Sequence, residues 1–215
     1  MATDQDGEMP TRSRELNTRG QRTMARLLDA GATVFAARGF HAARVDDIVQ
    51  AAEASHGTFY LYFSNKEDLF RALAAEAADD LARHAQTLGP LTPDEVGLEV
   101  IRHWIGGLCD LYRRHGPVIQ AWTEAEVSGS EFNRLGADVV GSYASALATR
   151  IADVDHGNLD PQLAALALVT MAERLNYYEL SGQIGLPESV AVETLAAVTF
   201  SAVFGIPAPP AVVGA

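Results

Sequence analysis

The chain has 215 residues, of which 48% are hydrophobic and 20% charged, and a formal net charge of -12; this is enough for a real core and one or two domains. A single cysteine, Cys109, excludes a disulfide framework and a cysteine-rich metal site. The start of the chain has neither a basic region nor an apolar run, and the most apolar stretch, 194–206, is too short to span a bilayer and runs into Pro207, Pro209 and Pro210, so a cytoplasmic protein with no membrane partner is expected.

Residues 1–18 are polar and aperiodic, which predicts a flexible arm. Met24, Leu27, Leu28, Gly31, Val34 and Phe35 recur at offsets of three and four, one face of an amphipathic helix. Gly39 is placed to end it as a left-handed cap, with Phe40 packing back on the last turn. A short helix is expected over about 45–52, a tight turn at Glu53-Ala54, and a second short helix over about 55–61. Three helices with a short turn between the last two have helix-turn-helix geometry. Ser64, with Glu67 three residues on, predicts the cap of a long helix reaching about Leu88. Thr92-Pro93-Asp94-Glu95 is a further helix start, and that helix runs to about Arg114. Gly116-Pro117 breaks it, and a shorter helix reaches Val127. Ser128-Gly129-Ser130 is a loop. A long helix extends to about Asp153, and Asp155-His156-Gly157-Asn158 is a turn. Asp160-Pro161 and Pro187-Glu188 open the last two helices, which end near Ser181 and Phe204. No strand signal is present, so the fold class is all-α with about nine helices.

The most informative segment is 55–70, a short helix with hydroxyls, a His and two tyrosines, followed by a turn and Lys66, the only lysine of the chain. An ammonium at a helix N-terminus opposes the dipole unless an anion such as phosphate lies between them. Charge is also unevenly placed. Residues 12–45 hold seven arginines against Glu15 and Asp29, whereas from residue 91 onward six arginines face fifteen acids. A basic end on an acidic body can dock on a polyanion while the body repels non-specific contact.

Arg38-Gly39-Phe40, Val45-Asp46-Asp47-Ile48, Thr58-Phe59-Tyr60-Leu61-Tyr62-Phe63 and Lys66-Glu67-Asp68-Leu69 occur in order, and over about 20–75 the chain resembles the TetR (tetracycline-repressor) family of bacterial transcription regulators. The resemblance implies a helix-turn-helix DNA-binding domain at 19–63, a helical domain for ligand binding and dimerisation at 64–206, and a tail at 207–215. It implies base contacts from His56 and Thr58 and phosphate contacts from Tyr60 and Lys66. Ser55 and Gly57 complete a short-side-chain helix start that is thin enough for the major groove. Arg44 stands where many relatives have Ser or Thr, trading a helix cap for reach to a phosphate. Arg19 and Arg22 are placed for the backbone or the adjacent minor groove. Glu53 stands where relatives usually have glycine, which implies strain or a reshaped turn.

The last two helices are apolar on nearly every side, and the resemblance implies that they pair in a homodimer on a near-palindromic operator. It also implies a cavity for a small apolar or amphipathic effector, with candidate lining residues Trp104, Leu108, Trp122, Phe132, Tyr143, Glu173, Asn176 and Tyr177. The competing reading of those residues is aromatic core. The six histidines show no metal-ligand spacing, no cofactor is implied, and no phosphate-binding, nucleophile-elbow or zinc-protease motif is present, so no enzyme is expected. A ligand-responsive repressor is the leading expectation, although no residue decides between repression and activation. The alternative is a protein-binding helical adaptor that has lost DNA binding, favoured by Glu53 and the acidic balance.

Overall fold

A computed structural model describes residues 18–124, 130–154, 159–185 and 187–205, with the side chains of 123, 124, 130–133 and 188 left out. The expected arm, the loop residues Ser128-Gly129, the turn at Asp155–Asn158, the Phe132 side chain and the tail at 207–215 lie outside the described residues.

Among the described residues the chain forms nine α-helices and no strand: α1 Thr18–Ala42, α2 Val45–Ala51, α3 His56–Tyr62, α4 Lys66–Ala85, α5 Glu95–Arg114, α6 Gly116–Glu124, α7 Ser130–Ala152, α8 Pro161–Leu180 and α9 Glu188–Phe204. Proline opens helices as expected, whereas Gly39 has a positive φ without the ψ of the expected left-handed cap, and α1 resumes beyond it to Ala42. Gly39 breaks α1 with φ 73° and ψ 159°, and Phe40 turns inward against Phe35 and Phe70 at ring-centroid distances of 5.5 and 4.8 Å. Asp160 caps α8 by accepting the Leu163 N–H at 2.8 Å, with Pro161 in the first turn.

Two caps fall one or two residues later than the sequence predicts. The cap of α4 is Asn65, whose Oδ1 accepts the Asp68 N–H at 2.7 Å, and not Ser64. Asp68, rather than Glu67, reaches back, accepting the Ser64 N–H at 3.1 Å. A shorter acid one residue further on closes the same loop. The cap of α5 is Asp94, which accepts the N–H groups of Val96 and Gly97 and takes a 2.6 Å hydrogen bond from the Thr92 hydroxyl. Thr92 therefore supports the cap without being it. Those three hydrogen bonds hold the Asp94 carboxyl below its ordinary range, the Thr92 bond first among the causes.

Side chains pack into two cores. One joins α1, α2, α3 and the first half of α4 to Val118 and Ala121 of α6, and is centred on Leu27, Phe35, Ile48, Phe59, Leu69 and Phe70. The other begins at Leu81 and joins the end of α4 to α5, α7, α8 and α9. The packing divides inside α4, between Ala74 and Leu81, beyond the domain boundary expected at 63/64. Helix α4 meets α1 closely: a Cβ at Gly31 would lie 2.4 Å from Leu69 Cδ2. In the second core α7 lies along α8 and α5 along α9. Arg102 of α5 ties that second pair through Glu193 of α9 at 2.7 Å. Arg150 of α7 donates to the Leu88 carbonyl beyond the end of α4 at 2.8 Å.

The helix-turn-helix turn keeps its shape despite Glu53. The Glu53 N–H donates to the Gln50 carbonyl at 3.2 Å and the Ala54 N–H to the Val49 carbonyl at 2.9 Å, the paired bonds of a Schellman ending. That ending requires a left-handed residue, and Glu53 adopts it, with φ 48°, the one positive φ at a non-glycine residue among those described. The backbone thus meets the geometry at a cost of about 1–2 kcal/mol for an L-residue. Glu53→Gly should raise stability by about 0.5–1 kcal/mol after the added chain entropy of glycine. The urea midpoint should rise with an unchanged slope, and an unchanged or lowered midpoint would show that the turn is not strained.

Candidate nucleic-acid interface

The inner side of α3 is fixed by burial. Phe59 and Phe63 are fully inside, and Tyr62 and Thr58 are half-buried. At 100° per residue this leaves His56, Gly57, Tyr60 and Leu61 on the outward side. Tyr60 is 56% exposed; one edge of its ring packs against Phe59 at a centroid distance of 5.4 Å, and the rest faces outward. Ser55 is the N-cap: its Oγ accepts the Thr58 N–H at 3.1 Å and lies 2.9 Å from the Thr58 hydroxyl. Ser55 and Thr58 thus set the helix start together. His56 Nε2 lies 2.5 Å from Asp46 Oδ1 of α2, a contact that holds the ring across the turn. Sequence reasoning named His56 but not its partner.

Arg19, Arg22 and Arg44 are exposed. Arg44 stands at the N-cap of α2 and supplies no acceptor; instead Asp47 accepts the Arg44 N–H at 3.1 Å while pairing with Arg38 at 3.3 Å. The side-chain cap expected to be lost with arginine is indeed absent; Asp47 satisfies the Arg44 N–H, and the Asp47 N–H turns to the Arg44 carbonyl at 3.1 Å.

Lys66 departs most from its expected use. Its Nζ donates to the carbonyls of Phe40 at 2.9 Å, His41 at 3.1 Å and Ala43 at 3.0 Å, and lies 4.8 Å from the centre of the Phe40 ring. All three N–H bonds are taken by the end of α1, so none points at a phosphate. The unfavourable start-of-helix charge is offset by the carbonyl end of a second helix. Arg26, which sequence reasoning missed, does the same for α2: its Nη2 donates to the Ala52 carbonyl and, at 3.2 Å, to that of Glu53. Nothing local signals either role, because the partners lie 23–27 residues away.

The candidate pocket residues are not gathered around one cavity. Trp104, Leu108 and Tyr143 enclose, with Val169, Ala172 and Thr199, a void of only about 10 Å³. Asn176 lines a separate crevice of about 260 Å³ beside Cys109 and Tyr112. Trp122 packs with the head core, and Glu173 and Tyr177 are half-buried on α8. A larger cleft, about 880 Å³, opens where α5 meets α9, with Val96, Val100, Arg102, His103, Trp104 and Glu193 among its walls. Of the expected lining residues, Trp104 borders this larger cleft. No group of three His, Cys, Asp or Glu among the described residues could hold a metal, and no described helix is long and apolar enough to cross a membrane.

His84 binds this region together. Its Nδ1 lies 2.8 Å from the Tyr143 hydroxyl, and its ring stacks on Trp104 at 6.3 Å and 17°. Burial first, then the neighbouring His103, push the His84 imidazole below its ordinary range, against a smaller opposite pull from Asp110. The folded state therefore favours neutral His84. Its contribution is present above the unfolded value of about 6.5 and is lost as pH falls below it. The urea midpoint should fall as pH drops below about 6.5 in the native chain, and His84→Gln should flatten that step. An unflattened step would assign it elsewhere.

Lys66→Met keeps the aliphatic stem but strands three carbonyls, and should destabilise the head by about 2–3 kcal/mol. Among molecules that remain folded, the salt slope of DNA binding should not change. A lost phosphate contact would lower that slope by about one ion per subunit.

Residues 27–73 match the family model of bacterial regulatory proteins, tetR family. The HTH-type transcriptional repressor SCO4008 of Streptomyces coelicolor is 31% identical over 111 residues, covering 51% of this chain and 53% of that protein. The chain spans about half, or less, of the length of the curated relatives it matches. A tetR-family transcriptional regulator from Streptomyces coelicolor superposes with a TM-score of 0.68 at 22% identity, covering 85% of this chain and 80% of that one. FadR from Bacillus subtilis in complex with stearoyl-CoA superposes with a TM-score of 0.64 at 19% identity, covering 83% of this chain and 98% of that one. At these identities the superpositions show a shared fold over both halves of the molecule.

Proposed function

We propose that the chain, whose residues 27–73 match the tetR-family model, is a sequence-specific transcriptional regulator, not an enzyme, acting as a homodimeric repressor on a near-palindromic operator. The carrying observation is the outward side of α3, where His56, Gly57, Tyr60 and Leu61 stand clear of the core on a helix braced at both neighbouring turns. In this reading α3 enters the major groove, with Arg19, Arg22, Arg44 and Tyr60 as backbone contacts and His56 at a base edge. Lys66 acts by holding α1 and α4 in place.

Dimerisation is supported by what α8 and α9 leave uncovered. Helix α8 buries Ala165, Val169, Ala172 and Asn176, while Leu163, Leu166, Met171 and Tyr178 remain exposed on its other side. Helix α9 similarly exposes Val190 and Val198. Stripes of this kind on two helices suit a four-helix bundle across a two-fold axis. Such a dimer would set its two recognition helices on half-sites about 34 Å apart or a multiple of it. The ligand of the FadR relative supports a small amphipathic effector, and the cleft between α5 and α9 has apolar walls and a charged rim to receive one. An effector represses or induces only by its difference in affinity between the DNA-bound and free forms.

One experiment tests both parts. The full chain should have a dimer mass by light scattering at micromolar concentration and should retard a duplex from upstream of its own gene in a gel. Leu163→Glu or Val198→Glu should give a helical monomer that no longer shifts that duplex. A monomeric native chain would overturn the dimer. A dimer that retards no DNA at low salt would favour the adaptor reading.

A further inference from the structure

Two outward residues of α3 have no use inside the chain. Gly57 lies within a helix, where glycine costs about 0.5–1 kcal/mol relative to alanine. Its φ is not positive. A Cβ there would meet nothing closer than Ser55 Oγ at 3.7 Å, an ordinary contact. Neither backbone conformation nor packing therefore asks for glycine. Leu61, one turn further on, is 81% exposed, the largest value among the exposed large apolar side chains. Positions i and i+4 lie above one another on a helix, so the missing side chain and the bare one adjoin. Together they form a notch with one apolar wall, beside the polar edge of His56.

We propose that this notch receives the 5-methyl group of thymine, making Gly57 and Leu61 specificity-determining residues for T·A pairs. The inference rests on the reading above that α3 enters the major groove. There the thymine methyl is the apolar group that base pairs display, and the other edge groups are hydrogen-bond donors and acceptors. A methyl fills the space that a Cβ would take, and its contact with Leu61 removes apolar surface of both from water. A phosphate or a sugar would gain nothing from a leucine and would not need the gap.

The test uses the duplex that the full-length chain enriches from a randomised pool. Each thymine of it is replaced in turn by deoxyuridine, which differs only by the lost methyl. At one position in each half-site the replacement should weaken binding about fourfold, the effect of one buried methylene-sized group. Leu61→Ala should bind the thymine and deoxyuridine duplexes equally. Gly57→Ala should melt at a higher temperature than the native chain yet bind the thymine duplex at least several-fold more weakly. Insensitivity to every deoxyuridine replacement, survival of the difference in Leu61→Ala, or unchanged affinity of Gly57→Ala would each overturn the proposal while leaving DNA binding intact. Enrichment of no duplex would overturn the DNA-binding reading and this proposal with it.

Discussion

Helix ends leave carbonyls without partners, and in the head of this protein two long cationic side chains supply the missing donors. Lys66 gathers three carbonyls at the end of α1, and Arg26 takes two at the end of α2. Each clamp crosses between helices that are distant in sequence. Lys66 joins the end of α1 to the start of α4, and Arg26 joins the middle of α1 to the turn before α3. Hydrogen bonds from charged donors are worth roughly 1.5–3 kcal/mol each when the acceptor would otherwise be desolvated. The short helices α2 and α3, seven residues each, could not hold an orientation by their own hydrogen bonds. Their angle is inherited from α1 and α4.

That arrangement gives α4 two allegiances. Its first half is buried among α1 and α6, with Leu69, Phe70 and Leu73 in the head core, and its end contributes Leu81 and Ala85 to the body core. Asp80, between the two, is paired with His115 at the end of α5 at 2.9 Å and with Arg83. Burial raises the Asp80 carboxyl, but the His115 and Arg83 contacts outweigh it and hold the group below its ordinary range. Head and body therefore meet along a continuous helix and not across a linker. A change in packing around α5 has a stiff route to the recognition helix, because a 20-residue helix is about 30 Å long.

The sequence makes the elements far more legible than the contacts between them. Gly116-Pro117, Asp160-Pro161 and Pro187 mark helix boundaries that the structure keeps, and Gly39 marks a kink inside α1, since each acts through its own backbone geometry. Helix α3 and its inward side were legible for the same reason, with Phe59 and Phe63 four apart and buried. The α4 cap slipped from Ser64 to Asn65 because two adjacent residues with capping side chains could each have filled that role. The use of Lys66 was hidden because its acceptors are backbone atoms, which no side-chain pattern announces. The aromatic residues scattered for a related reason: composition gives the number of rings but not which helix neighbour each one faces. Thus Trp104 and Tyr143 share a filled core, while Trp122 belongs to the other one.

A chain with a single lysine, fully engaged in the fold, has an unusual chemical surface. Amine-directed dyes, cross-linkers and coupling resins meet in Lys66 a side-chain amine that the fold already occupies. Lys66 can react only when its three hydrogen bonds open, so its labelling rate measures local unfolding at the α1–α4 junction. Acetylation at that nitrogen would remove the charge and two of the three donors. That single modification would then loosen the α1–α4 junction without touching the outward side of α3.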